Sequence, residues 1–240
     1  MKKIVGGLTA LLLSTFIFSQ KTINDANAEA RKLSGFHAIK VSNAFDVYIT
    51  QGNEDAVAIS ASKTEYRDKI ITSVENGVLT IRFEDEKKFW KSLGGDRQKL
   101  KAYISVKKLD KLVVSGACDV FMEEGISADE LEISFSGASD LKGKVEAKTL
   151  SVDISGASDI TLSGNAANMK VEASGASDFK GFDFVTNYCD AKASGASSIK
   201  ITVNKELNAN ASGASDVRFK GDGLIREIKT SGASSVSRRS

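Results

Sequence analysis

Apolar and polar residues alternate along most of this chain, and beyond residue 110 the alternation returns at a nearly fixed spacing. The inward sets are Leu131, Ile133, Phe135; Leu150, Val152, Ile154; Met169, Val171, Ala173; Cys189, Ala191, Ala193; and Leu207, Ala209, Ala211. A period of two predicts strands with one buried face. Each set ends against a pentapeptide, Ser-Gly-Ala-Ser-Asp or a close variant, starting at Ser115, Ser136, Ser155, Ser174, Ser194, Ser212 and Ser231, in steps of 21, 19, 19, 20, 18 and 19 residues. A second apolar position follows each of the first six: Val120, Leu141, Ile160, Phe179, Ile199 and Val217. One supersecondary unit per repeat, stacked on the next, predicts an all-β solenoid.

Within each pentapeptide the glycine takes a positive φ at no steric cost, so the chain turns there. The predicted corners are Ser115-Gly116, Ser136-Gly137, Ser155-Gly156, Ser174-Gly175, Ser194-Gly195, Ser212-Gly213 and Ser231-Gly232. Successive rungs then pair in parallel. Parallel crossovers are right-handed in about 98% of cases, so the expected architecture is a single-stranded right-handed parallel β-helix. In that register Lys170 lies beside Asp190 and Glu172 beside Lys192, which sets opposite charges on neighbouring strands. Cys118 and Cys189 fall in different columns several rungs apart, beyond the roughly 7 Å that a disulfide spans, and are expected to be unpaired.

Residues 36–110 also alternate, as in Phe45, Val47, Ile49 and in Ala102, Ile104, Val106, with a turn signal at Asn76-Gly77. They are expected to form a β-rich cap over the first edge of residues 111–240, with a shared core. Ahead of them, Lys2 and Lys3 lead an apolar run from Ile4 to Phe18, closed by the small Ser19, before a polar segment at 20–35. This is the layout of a secretory signal peptide, and the run is short of the about 20 residues of a membrane helix. The expected protein is exported to the periplasm, cell surface or exterior, with no stable membrane insertion after cleavage.

Charge then narrows the function. The 33 basic and 31 acidic residues become 31 and 31 without residues 1–19. A balanced chain lacks the concentrated basic field that nucleic acid requires. The single histidine, His37, lies far in sequence from the repeated serines, and no nucleophile elbow is present, so no catalytic residue is assigned. Asp119, Asp140, Asp159, Asp178 and Asp216 form a column broken by Ser198 and Ser235, with Lys142, Lys180, Lys200 and Arg218 two residues after a column position. Turn capping with a basic neighbour accounts for it, so no metal and no cofactor is expected. The candidate ligand contact is Phe89 with Trp90, the one tryptophan, in the charged excursion 84–99. Burial against the end of the coil is the alternative.

The pentapeptides, preceded by the runs Phe36–Val41 and Phe45–Gly52, resemble the bacterial family described as putative auto-transporter adhesin, head GIN domain. The resemblance covers nearly all of the chain after the signal segment. It implies a non-enzymatic adhesion or binding module whose partner is a cell-surface glycan or protein. Two alternatives stay open: a carbohydrate-active enzyme on a β-helix scaffold, and a structural protein that stacks end to end. A flat apolar terminal rung favours stacking, whereas Arg238 and Arg239 oppose it.

Overall fold

The computed structural model describes residues 17–18, 21–22, 24–84 and 99–239. Strand makes up 69% of it, arranged as a β-solenoid of about 7 turns. The repeats form β10 (Lys111–Val114), β11 (Asp119–Phe135), β12 (Asp140–Ile154), β13 (Asp159–Ala173), β14 (Asp178–Ala193), β15 (Ser198–Gly213), β16 (Asp216–Lys220), β17 (Leu224–Gly232) and β18 (Ser235–Arg238). Each long strand has two arms between consecutive corners. In β12 the inward positions run Leu141, Val145, then shift phase at the exposed Lys148 and Thr149, and resume at Leu150, Val152 and Ile154.

The repeats pair in parallel, and the inward columns before the corners keep the predicted register from β11 to β15, with register shifts between the arms and at Leu207/Asn208 against β17. Leu131 pairs with Leu150, Leu150 with Met169, Met169 with Cys189 and Cys189 with Leu207. Lys170 lies opposite Asp190 and Glu172 opposite Lys192. Only the second of these predicted charge pairs forms a salt bridge, at 3.0 Å, because Lys170 turns along its own strand to the same carboxylate, also at 3.0 Å. Both lysines hold the Glu172 carboxyl below the usual carboxylate range.

The core keeps its packing although its columns change size. Between β11 and β15 the position before each corner shrinks from Phe135 through Ile154 to Ala173, Ala193 and Ala211, all buried. The facing arms supply the lost volume with the fully buried Phe179, Phe184 and Phe219. Large side chains opposite small ones keep the interior filled along the coil.

The stack also continues through the region before residue 111. Here lie β4 (Ala38–Val41), β5 (Phe45–Gln51), β8 (Val78–Phe83) and β9 (Leu100–Val106). β10 pairs in parallel with β4 and β4 with β8 on one arm, while β11 pairs with β5 and β5 with β9 on the other. Two further rungs therefore precede the first pentapeptide. The chain enters in the second of them, leaves through β6 (Ala56–Ser60), α1 (Thr64–Arg67) and β7 (Ile70–Glu75), and returns to build the outermost rung. The capping function belongs to β6, β7 and β3 (Glu29–Arg31), which pair antiparallel and cover both arms of that rung. A short pair, β1 (Ile17–Phe18) with β2 (Lys21–Thr22), stands apart. The remainder of the expected signal segment lies outside the described residues.

Candidate functional site

The corners form a continuous ladder. Gly116, Gly137, Gly156, Gly175, Gly195, Gly213 and Gly232 all have φ between 76° and 97°. At each one the backbone of the preceding corner fills the space where a Cβ would stand. The next residue, alanine, donates its N–H to the preceding glycine carbonyl, as in Ala157 to Gly137 at 2.7 Å.

An eighth corner departs from the motif in sequence. It is Ser42-Asn43-Ala44-Phe45-Asp46, where Asn43 holds φ 81° and its carbonyl accepts from Ala117 at 2.6 Å. Asparagine tolerates the left-handed region better than most residues, and its side-chain oxygen accepts the N–H of Phe83 at 2.8 Å. The alternation before it, Ile39 and Val41, and the spacing of Ala and Asp are the signals that reveal it.

The buried polar group of the corner is the fourth residue rather than the first. Ser139, Ser158, Ser177, Ser197 and Ser215 are all buried, whereas the first serines are only half-buried. Ser139 Oγ accepts the Cys118 N–H at 3.1 Å and reaches the Gly116 carbonyl at 3.3 Å. Cys118 occupies this same position one rung earlier, with Sγ 3.7 Å from the carbonyls of Asn43 and Ser115. Cys118 and Cys189 are both free, and burial pushes their thiols up to about 11 and about 12. The hydroxyls of Ser139, Ser158, Ser177, Ser197 and Ser215 all bond to backbone carbonyls of the corners.

Directly after the corners, two outward columns run along the solenoid. The first is acidic, from Asp46 through Asp119, Asp140 and Asp159 to Asp178. The second, two residues further, starts as an aromatic stack: Tyr48 lies between Tyr103 and Phe121, with ring centroids 5.2 Å apart on both sides and planes within 18° of parallel. Parallel in-register pairing puts one ring over another at the rung spacing. The stack is anchored at one end by the Tyr103 hydroxyl, which donates to Asp25 at 3.0 Å. Burial, then the Asp25 carboxylate, raise the pKa of that hydroxyl.

Past Phe121 the second column becomes Lys142, Thr161 and Lys180. The small Thr161 between two lysines leaves a groove of about 360 Å³. In it Lys180 is ion-paired to Asp159 at 2.5 Å, while Asp119, Asp140 and Lys142 make no ion pair among the described residues. Burial, then Asp46 and Asp140, raise the carboxyl pKa of Asp119. Because the folded value is raised, the charged form costs stability above it, and that cost is relieved as pH falls through it. Asp119→Asn is therefore expected to raise the melting temperature at pH 7, with an advantage that shrinks toward acid pH. A thermal melt series between pH 3 and 8 checks this.

This groove holds an aromatic edge, carboxylates and an ammonium that form no ion pair among the described residues, and a hydroxyl, a set that accepts and donates hydrogen bonds to a polar ligand. Its carboxylates repeat along one column and do not flank a central bond from two sides. Among the described residues no three ligating side chains converge on a metal position. Phe89 and Trp90, the contact expected from sequence, lie outside the described residues.

Known structures share the fold. A putative adhesin from Bacteroides fragilis superposes with a TM-score of 0.79 at 18% identity, covering 88% of this chain and 96% of that one. A putative adhesin from Parabacteroides distasonis gives 0.67 at 19% identity over 88% and 96%. A protein of the same species described as a putative lipid binding protein gives 0.63 at 20% identity over 89% and 97%. No curated protein matches the chain in sequence. The family model described as putative auto-transporter adhesin, head GIN domain, matches residues 35–223, from just before β4 to the loop before β17, and the chain belongs to that family.

Proposed function

We propose that this protein is an exported, non-enzymatic binding module that holds a cell-surface glycan along the strip beside the corner ladder. The observation that carries the reading is the groove itself, where the Phe121 edge meets Asp119, Asp140 and Lys142. Family membership supports a surface role, and the signal-like segment at residues 1–19 supports export. No helix among the described residues is long and apolar enough to cross a membrane. A groove lined by carboxylates and ammonium groups does not suit an acyl chain, so a polar ligand is favoured.

Binding to immobilised glycans and surface proteins, compared among wild type, Phe121→Ala, Lys142→Glu and Trp90→Ala, tests this. Phe121→Ala and Lys142→Glu are expected to weaken glycan binding by about tenfold or more, the effect of losing a central contact. Loss in Trp90→Ala alone would move the site to the 85–98 segment. Retention on protein spots only would replace the glycan with a protein partner. Turnover of a polysaccharide by wild type would replace the binding reading with an enzymatic one.

A further inference from the structure

We infer that two copies of this chain associate head to head through the free edge of β17. The two core columns that run through Leu207 and Ala209 continue into Ile225 and Ile228, which remain 45% and 41% exposed, beside Leu224 at 66%. None of the described residues packs over them. The other arm of the same end is closed differently. Arg238 lies 5.0 Å over the Phe219 ring and donates to the carbonyls of Gly221 and Gly223, and Arg239 lies 5.4 Å over Phe182. Half of this end is sealed by arginines and half is an open apolar edge.

Among the described residues β17 pairs on one side only, with β15, which leaves the N–H and C=O groups of its other edge without a strand partner there. A second β17 running antiparallel across a two-fold axis satisfies them, and the sequence selects one register. An axis through Glu227 or Lys229 sets that residue's charge opposite itself. An axis through Ile228 places the two isoleucines together on the core side and pairs Glu227 with the partner copy's Lys229 twice. Within one copy these two residues already bridge at 2.7 Å, with side chains 56% and 64% exposed, so association joins them into one four-charge cluster. The two-fold contact uses the same edge of both copies, and the far end of the solenoid terminates in the antiparallel β7 and β3 in place of a parallel rung, so assembly closes at two copies and does not propagate as a fibre.

Sedimentation velocity of the purified protein over roughly 1 to 200 µM tests this, in the range where edge contacts of modest size associate. Wild type is expected to reach a dimer. Lys229→Glu alone, or Glu227→Lys alone, sets like charges opposite each other twice and is expected to weaken the dimer about tenfold. The double exchange Glu227→Lys with Lys229→Glu is expected to restore it. Circular dichroism is expected to match wild type throughout, since both side chains point to solvent. A monomer over the whole range, assembly beyond two copies, a dimer indifferent to the single changes, or a double exchange that fails to restore it overturns the inference.

Discussion

Gly156→Ala is expected to disrupt the middle of the solenoid, at a cost of about 4 kcal/mol or more. Two effects add. A left-handed backbone with a Cβ costs about 1–2 kcal/mol, and Gly156 sits at φ 82°. The new Cβ would also lie 2.3 Å from the Gly137 oxygen, 2.9 Å from its nitrogen and 3.1 Å from its carbonyl carbon. All three are backbone atoms, so no rotamer change relieves the clash and the rungs must separate. Separation loses the 2.7 Å bond from Ala157 to Gly137, and neighbouring corner bonds with it. Gly35→Ala is the control, since Gly35 has φ 76° but nothing within 4 Å of its Cβ position. It carries only the conformational penalty. Urea unfolding of the two variants separates the terms, and equal losses would show that the corner ladder is not sterically closed.

Because each rung contacts chiefly its neighbours, a break at Gly156 also threatens cooperativity. The transition is expected to broaden or split, with the rungs before and after the lesion melting separately. Gly35→Ala is expected to keep a single transition.

Ser139→Ala is expected to cost about 1–3 kcal/mol, the penalty of a buried donor left without an acceptor. Ser139 is fully buried, and its hydroxyl accepts the N–H of Cys118. Cys118 is itself fully buried, so its amide has no solvent-exposed alternative. Ser136→Ala, three residues earlier in the same motif, is expected to change stability by less than about 0.5 kcal/mol, as half-exposed positions usually do. Its hydroxyl lies 3.4 Å from the Val114 carbonyl, and that carbonyl already receives the Ser136 N–H at 2.9 Å. Denaturant titrations of the two single variants give the contrast directly. A larger loss for Ser136 would reverse the assignment of the structural serine.

These two serines mark the limit of what the motif specifies. Both are invariant in most copies, and their types fit a turn equally well. Which one faces inward depends on the path of the chain through the corner, where the strict alternation of a strand no longer applies. The apolar columns are different. Leu131, Leu150, Met169, Cys189 and Leu207 lie at fixed offsets from the motif, so their stacking follows from period two and the repeat length alone.

The region before residue 111 is harder for the same reason. Its strands alternate, which identifies them as strands, but their order in the stack does not follow the chain. β8 and β9 lie outside β4 and β5, although they come later in sequence. Such a return depends on long-range closure, with no local signal beyond the turn at Asn76-Gly77. Gln51 shows the consequence at one residue, its side-chain amide exchanging hydrogen bonds with the backbone of Ser127, 76 residues away.

The candidate site divides along the same line. Asp119, Asp140 and Lys142 stand in columns that the repeat length predicts. The stack of Tyr103, Tyr48 and Phe121 joins three strands of which only one belongs to a pentapeptide repeat, so only the assembled rungs bring the rings together. The sequence by itself determined a parallel β-coil, its corners and its inward columns, because those depend on a two-residue period and a repeat of about 19. Tertiary structure alone decided which serine is buried, that Asn43 continues the glycine ladder, and that aromatics from distant segments meet a half-neutralised acidic groove. Each of these depends on which backbone lies one rung away, and that neighbour is set by closure of the whole coil.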